Sequence, residues 1–331
     1  MQRFRAWRII AALAAAICCG VPPAIAQEAA PIKADLAAST TWWGQIPLMV
    51  AIDKGWFKAA GLDVTLRAIV SSSDRMAAVA SGSAAFSNLG RIAVIANMAR
   101  GDKSFWYFAN IDDSPGNEGC WARPGFTSFQ QLRGHKVAAN TSAEITMNGL
   151  LQNAGMTEKD VQFVNLPPDQ MAPAIARGDV DAACVWQPLL AGVEKAAPGG
   201  KLLGLDSDTP IGQKFHTMAS PDIVIISRKF VAEHPDAAGK LAAAMFKGAD
   251  YANSNPEDTA KTVAHYFHKS PEDVLAAMKT FKYFGGADWQ QHMQVQTEQM
   301  QYLAQWLHDN GKIPSLPEVK AWENVSFVPK Q

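Results

Sequence analysis

The stretch from Ala34 to Arg67 limits the fold more than any other part of the chain. Ala34–Ser39 reads as a short strand. Trp42, Trp43, Gly44, Gln45 and Pro47 follow where a loop is expected. Leu48, Ala51, Ile52, Trp56 and Phe57 then recur at helical spacing, and Gly61 stands where a helix is stopped. Leu62–Arg67 reads as a second strand. Strand, loop, helix, Gly, strand is a βαβ unit, because parallel strands need a crossover helix between them. In an open α/β sheet ligands gather at the carboxyl ends of the strands. Trp42 and Trp43 are expected there. Two large aromatics on a loop are costly to leave in water, so they pack on a neighbouring lobe or on a ligand.

Ahead of this unit, Arg3, Arg5 and Arg8 form a positive n-region and Ile9–Gly20 an apolar run. Ala24-Ile25-Ala26 makes a small-x-small cleavage site. This is a secretory signal peptide over residues 1–26, cleaved after Ala26. Its apolar run is short of the roughly 20 residues that span a bilayer. Neither Cys18 nor Cys19 has a neighbour suited to lipoprotein processing, so a free periplasmic protein is expected. Cleavage removes three of the 30 basic side chains and none of the 31 acidic ones. The acidic remainder excludes a nucleic-acid-binding role, which needs a basic face. Only Cys120 and Cys184 survive processing, in an oxidising compartment that allows a disulfide.

Strand–helix alternation continues along the chain. Ser71–Ala80 reads as a helix, Ala84–Ser87 as a strand, Ile92–Ala99 as a helix and 104–109 as a strand. Asp112–Gly119 has linker composition. Strands follow at Gly119–Arg123, Lys136–Ala139, Val161–Asn165, Ala182–Trp186 and Lys201–Leu205. Helices ending at Asn153 and at Arg177 lie between some of them. Asp222–Ser227 reads as a strand that crosses back. From Arg228 the pattern is wholly helical, over Val231–Asn253, Pro256–Phe267, Pro271–Phe281 and Asp288–Asn310. GxSxG, Walker and strand-bound GxGxxG motifs are missing, and His265 with His268 has no third ligand nearby. An enzyme, a cofactor and a metal are therefore not expected.

The phrase from Ile46 to Leu66 (IPLMVAIDKGWFKAAGLDVTL) resembles the start of periplasmic substrate-binding proteins of taurine, nitrate and sulfonate ABC importers. The likeness continues through Ala80–Gly90, Val161–Pro188 and Asp222–Pro235. It implies a two-lobed α/β fold with the ligand cleft between the lobes. Residues 27–112 and 222–331 would form a discontinuous first lobe, and 113–221 the second. The C-terminal helices would return to cover the first lobe. In such a fold Cys120 and Cys184 stand on adjacent strands. The implied partners are a small-molecule ligand and the permease and ATPase of an importer, with the binding protein a monomer.

On that frame, Trp42, Trp43 and Gln45 belong to the first cleft loop. Asn88, Gly90 and Arg91 stand at a strand end that opens a helix, where amides and a guanidinium can hold an anion. The resemblance implies small hydroxyl residues there, so Arg91 is a departure; it either forks the anion or lies solvated. Ser142 matches a position that offers the ligand a hydroxyl. Glu144 either caps its helix or receives a cationic group. Trp186 either faces the cleft or packs at the hinge. Asp222 matches an acid that holds an amino group in the taurine-type proteins, and otherwise it satisfies loop amides. Glu118, at the outgoing crossing, is the weaker acid and is left out of the site. Arginine with acids favours a zwitterion, taurine or another sulfonate. The runners-up are a pyrimidine-type thiamine precursor held between tryptophans, and a sensory role with a membrane receptor.

Overall fold

The structure, a computed structural model, describes residues 30–329. The signal peptide and its cleavage point lie outside them. Two five-stranded mixed sheets organise the described chain. The first runs in the order Leu66–Ala68, Leu36–Ala38, Phe86–Gly90, Asp222–Ser227, Phe105–Ala109. The second runs Gln162–Asn165, Lys136–Ala139, Ala182–Trp186, Glu118–Ala122, Lys201–Leu205. The chain leaves the first sheet after Ala109, enters the second at Glu118 and returns at Asp222. Each crossing strand lies fourth in its sheet. The return strand runs antiparallel to both of its neighbours in the first sheet, and the outgoing strand does the same in the second. So the first sheet takes one strand from beyond the second sheet's segment, whereas all five strands of the second sheet lie between residues 118 and 205. The fold is the two-lobed α/β arrangement expected from the sequence.

The central strands Phe86–Gly90, Ala182–Trp186 and Asp222–Ser227 are buried on both faces, as strands covered by helices must be, while the edge strands Gln162–Asn165 and Lys201–Leu205 are partly exposed. The long helix Pro235–Ser254 lies against the helix Ile46–Asp53. Gly248 allows that packing, since a Cβ there would stand 2.0 Å from the Pro47 carbonyl oxygen. Three details depart from the sequence reading. The helix after the tryptophans is broken: Ile46–Asp53 ends before Gly55, which takes a left-handed conformation with φ 70°. Pro188 does not merely end a strand; it caps a further helix, Leu189–Ala196. A short helix, Pro210–Phe215, with Thr209 accepting from Gly212 N, had no clear apolar period to announce it. Cys120 and Cys184 are cross-strand partners in the second sheet and form a disulfide. Among the described residues no helix is long and apolar enough to cross a membrane.

Candidate ligand-binding site

The two sheets meet at the ends of their crossing strands. Asp222 opens the return strand and pairs with Gly90. Glu118 opens the outgoing strand and pairs with Trp186. These two pairs face a small cavity of about 30 Å³, lined also by Trp42, Ser142 and Met218. Gly90 brings the backbone close to two hydroxyls: a Cβ there would lie 2.9 Å from Ser142 Oγ and 3.1 Å from Ser72 Oγ, so both would have to turn aside. Trp186 Nε1 donates across the gap to the Thr41 carbonyl at 3.2 Å. Lys312 reaches Glu144 and Glu158 of the other half at 2.9 and 2.8 Å.

The cation of the cavity is Arg75. The helix Ser72–Ala80 starts from Ser71, whose hydroxyl accepts from Asp74 N at 3.4 Å. Ser72, Arg75, Met76 and Val79 share one helix face by their spacing, and the last three are buried. Arg75 is 3% exposed. Its Nη1 donates to the carbonyls of Ile69 (3.0 Å) and Val70 (2.9 Å), and its Nη2 to Ser72 Oγ (3.0 Å). Its Nε has no partner. Burial lowers its pKa, and Asp222 opposes that.

Acids face it. Burial raises Asp222 to about 6, against the opposing charges of Arg75 and Arg91. Burial raises Glu118 to about 8, with repulsion from Asp206 adding to it. Behind them, Asp112 accepts from Asn88 Nδ2 (2.8 Å) and Trp42 Nε1 (3.2 Å); burial and then repulsion from Asp222 lift it to about 8. Asp206 ties the crossings together, accepting from the amides of Gly116, Glu118 and Ala219.

Of the residues expected from the sequence, the structure brings Trp42, Gly90, Ser142, Trp186 and Asp222 to this cavity. Gln45 and Asn88 sit one layer behind it. Gln45 Nε2 donates to Asp222 Oδ2 at 3.2 Å and to the Asn88 carbonyl at 3.1 Å. Three expectations need correction. Trp43 turns into the core, with its ring 4.3 Å from Phe267. Arg91 is neither solvated nor in the cavity. It is fully buried and donates to Gln299 Oε1 (2.5 Å) and to the Asp222 carbonyl (3.4 Å). Glu144 neither caps its helix nor faces the cavity. Asn140 Oδ1 takes the Ala143 amide at 2.9 Å, and the cation Glu144 receives is Lys312. Arg75, Ser72, Ser39, Met218 and Ser220 were missed, and Glu118 was set aside. The place of Arg75 in the buried stripe of its helix was the available signal; Met218 and Ser220 lie in irregular chain without one.

A larger recess of about 660 Å³ lies at the opposite ends of the first sheet's strands, lined by Lys33, Arg67, Lys103 and Arg228 among others. It is open and mostly polar. The enclosed, aromatic-walled cavity at the switch between sheets is where open α/β folds bind ligands. Among the described residues no group of three or more His, Cys, Asp or Glu side chains is placed to hold a metal ion.

This architecture is that of the periplasmic binding proteins. The alkanesulfonate-binding protein SsuA from Xanthomonas axonopodis pv. citri, solved with MOPS bound, superposes with a TM-score of 0.73 at 16% identity, over 89% of this chain and 99% of that one. The chain belongs to the NMT1/THI5-like family, whose model matches residues 43–259. A binding protein of Brucella abortus is 26% identical over 243 residues, 73% of each chain. The taurine-binding periplasmic protein of Escherichia coli is 26% identical over 211 residues, 62% of each.

Proposed function

We propose that this protein is the periplasmic solute-binding component of an ABC importer and takes a small zwitterion, first of all taurine or a related aminosulfonate. The carrying observation is one buried, under-partnered guanidinium, Arg75, set in the same enclosed cavity as the carboxylates of Glu118 and Asp222. An acid group of the solute takes Arg75 and the hydroxyl of Ser142, and an ammonium takes the carboxylate side. Trp42 and Trp186 cover its carbon body. Charges buried without partners are expensive, so a solute that pairs them from both halves favours the closed form. The two lobes are 27–112 with 222–331, and 113–221, hinged at the crossings. Closure presents the loaded protein to a permease and its ATPase. Relatives named for taurine and aliphatic sulfonate binding support the solute class. Trp42 and Trp186 stand edge-on at 85° rather than parallel, which offers a flat heteroaromatic no slot. The cavity lining has serines but no histidine, lysine or cysteine beside them, which speaks for binding over catalysis.

The test is a thermal-shift and calorimetric screen of the mature protein against taurine, ethanesulfonate, β-alanine, nitrate and an aminopyrimidine. A ligand at one hundred times its Kd stabilises the folded state by about 2.7 kcal/mol. Taurine is expected to raise the melting temperature most. A larger shift from the aminopyrimidine, or none from any sulfonate, overturns the reading.

A further inference from the structure

Glu118 and Asp222 occupy matching places, each the first residue of a crossing strand, yet they are held unequally. Asp222 accepts from Gln45 and lies in the fields of Arg75 and Arg91. Glu118 is 5% exposed, and its carboxylate has one protein partner, the hydroxyl of Thr146 at Oε1. Around it stand Arg75 from the helix Ser72–Ala80, Asp222 from the return strand and Asp206 behind its own amide. Ser142 and Trp186 complete its side of the cavity. Inside the cavity Arg75 alone faces these two acids, and outside it Arg91 behind Asp222 is opposed by Asp112 beside Asp222 and Asp206 beside Glu118. In an enclosed cavity the unmatched negative charge is costly, and it is relieved either by a proton or by a cation.

We propose that Glu118 is the second acceptor for the cationic end of the solute, and that it holds a proton while the cavity is empty and releases it to water when that cation binds. This rests on the solute-binding function proposed above. The balance is one proton, from the Glu118 carboxyl to bulk solvent, for each cation-bearing solute taken up. Burial, and then the neighbouring charge of Asp206, keep the carboxyl protonated up to about pH 8 in the empty protein. A bound ammonium lowers that value. Taurine affinity therefore rises as pH rises toward 8. A solute with a sulfonate alone gains nothing from the ionised acid, and its affinity stays flat or falls.

The experiment is calorimetry with taurine and with ethanesulfonate near pH 7, each in two buffers of different ionisation enthalpy, on the wild-type protein and on Glu118→Gln. Wild type is expected to release close to one proton with taurine and none with ethanesulfonate. Glu118→Gln should release none and bind taurine about tenfold more weakly near pH 8 while keeping its ethanesulfonate affinity. Release that persists in Glu118→Gln assigns the proton to another group, such as Asp112, and overturns the proposal. Binding of both solutes without release in wild type overturns it while leaving the transport reading intact. Binding of neither overturns both. If Glu118→Gln does not fold, the wild-type taurine-to-ethanesulfonate affinity ratio decides: it must rise between pH 6 and 8, and a constant ratio refutes the proposal.

Discussion

Replacing Arg75 should separate binding from folding in a way that replacing Arg91 does not. Arg75 is almost fully buried, and three of its hydrogen bonds go to Ile69, Val70 and Ser72. Its Nε remains unpartnered beside the cavity. Breaking one side of a buried charge pair costs about 2–5 kcal/mol, or roughly 30- to several-thousand-fold in affinity. Arg75→Met keeps the apolar bulk and removes the fork. It also removes the donor to the Ile69 and Val70 carbonyls, at a modest cost in stability because Val70 is 38% exposed and water can replace the lost bond. Arg75→Lys keeps the charge but loses the planar geometry, so it should fall between the two. Arg91→Met removes a buried guanidinium whose partners are Gln299, the Gln296 carbonyl and the Asp222 carbonyl. That variant should lose stability of the same order and much less affinity. Calorimetry against taurine, with urea unfolding of each variant, reads both quantities. A folded Arg75→Met protein that binds within about threefold of wild type refutes the assignment. So does an Arg91→Met protein that loses the larger share of affinity.

The disulfide closes a chain separation of 64 residues, so Cys120→Ala with Cys184→Ala should cost about 4 kcal/mol by loop entropy; an unchanged urea midpoint would contradict it. Lys312 pairs with Glu144 and Glu158 across the two halves but is partly exposed, so Lys312→Met should weaken binding by under 1 kcal/mol and flatten its salt dependence. Titrations in rising salt check this, and an affinity gain in the variant would refute it. Burial raises Asp206 to about 7 and Asp222 to about 6 in the folded protein. The folded state then binds more protons than the unfolded one, so stability is highest below the ordinary carboxylate range and declines as pH rises through 6 to 7. Melting temperatures without ligand should be higher at pH 5 than at pH 8, and the reverse order refutes the burial of these acids.

Much of the fold was legible because its signals are local. The strands Ala182–Trp186, Lys201–Leu205 and Asp222–Ser227 carry short apolar runs bounded by Gly, Pro or Asp, and they form where those runs lie. The adjacency of Cys120 and Cys184 followed once the outgoing crossing strand was set beside Ala182–Trp186; the bond itself did not. The site was half legible. Asp222, Gly90 and Trp186 lie at strand ends, and the carboxyl ends of strands mark clefts. Arg91 drew the attention that belonged to Arg75. Both begin or sit within helices near strand ends, and only tertiary packing turns Arg91 toward Gln299 and Arg75 toward the cavity. Glu144 found its cation in Lys312, a partner 168 residues away in a turn that no period announces. Trp43 shows the same limit. Neighbouring tryptophans on one loop point apart, one to Asp112 and the cavity, the other to Phe267 and the core.

A crystal structure of the mature protein grown with taurine tests the central claim most directly. The sulfonate is expected against Arg75 and Ser142, the ammonium between Glu118 and Asp222, and the carbons under Trp42 and Trp186. Taurine found instead in the open recess near Lys33, Arg67 and Arg228, with the cavity between the sheets holding only water, would contradict it.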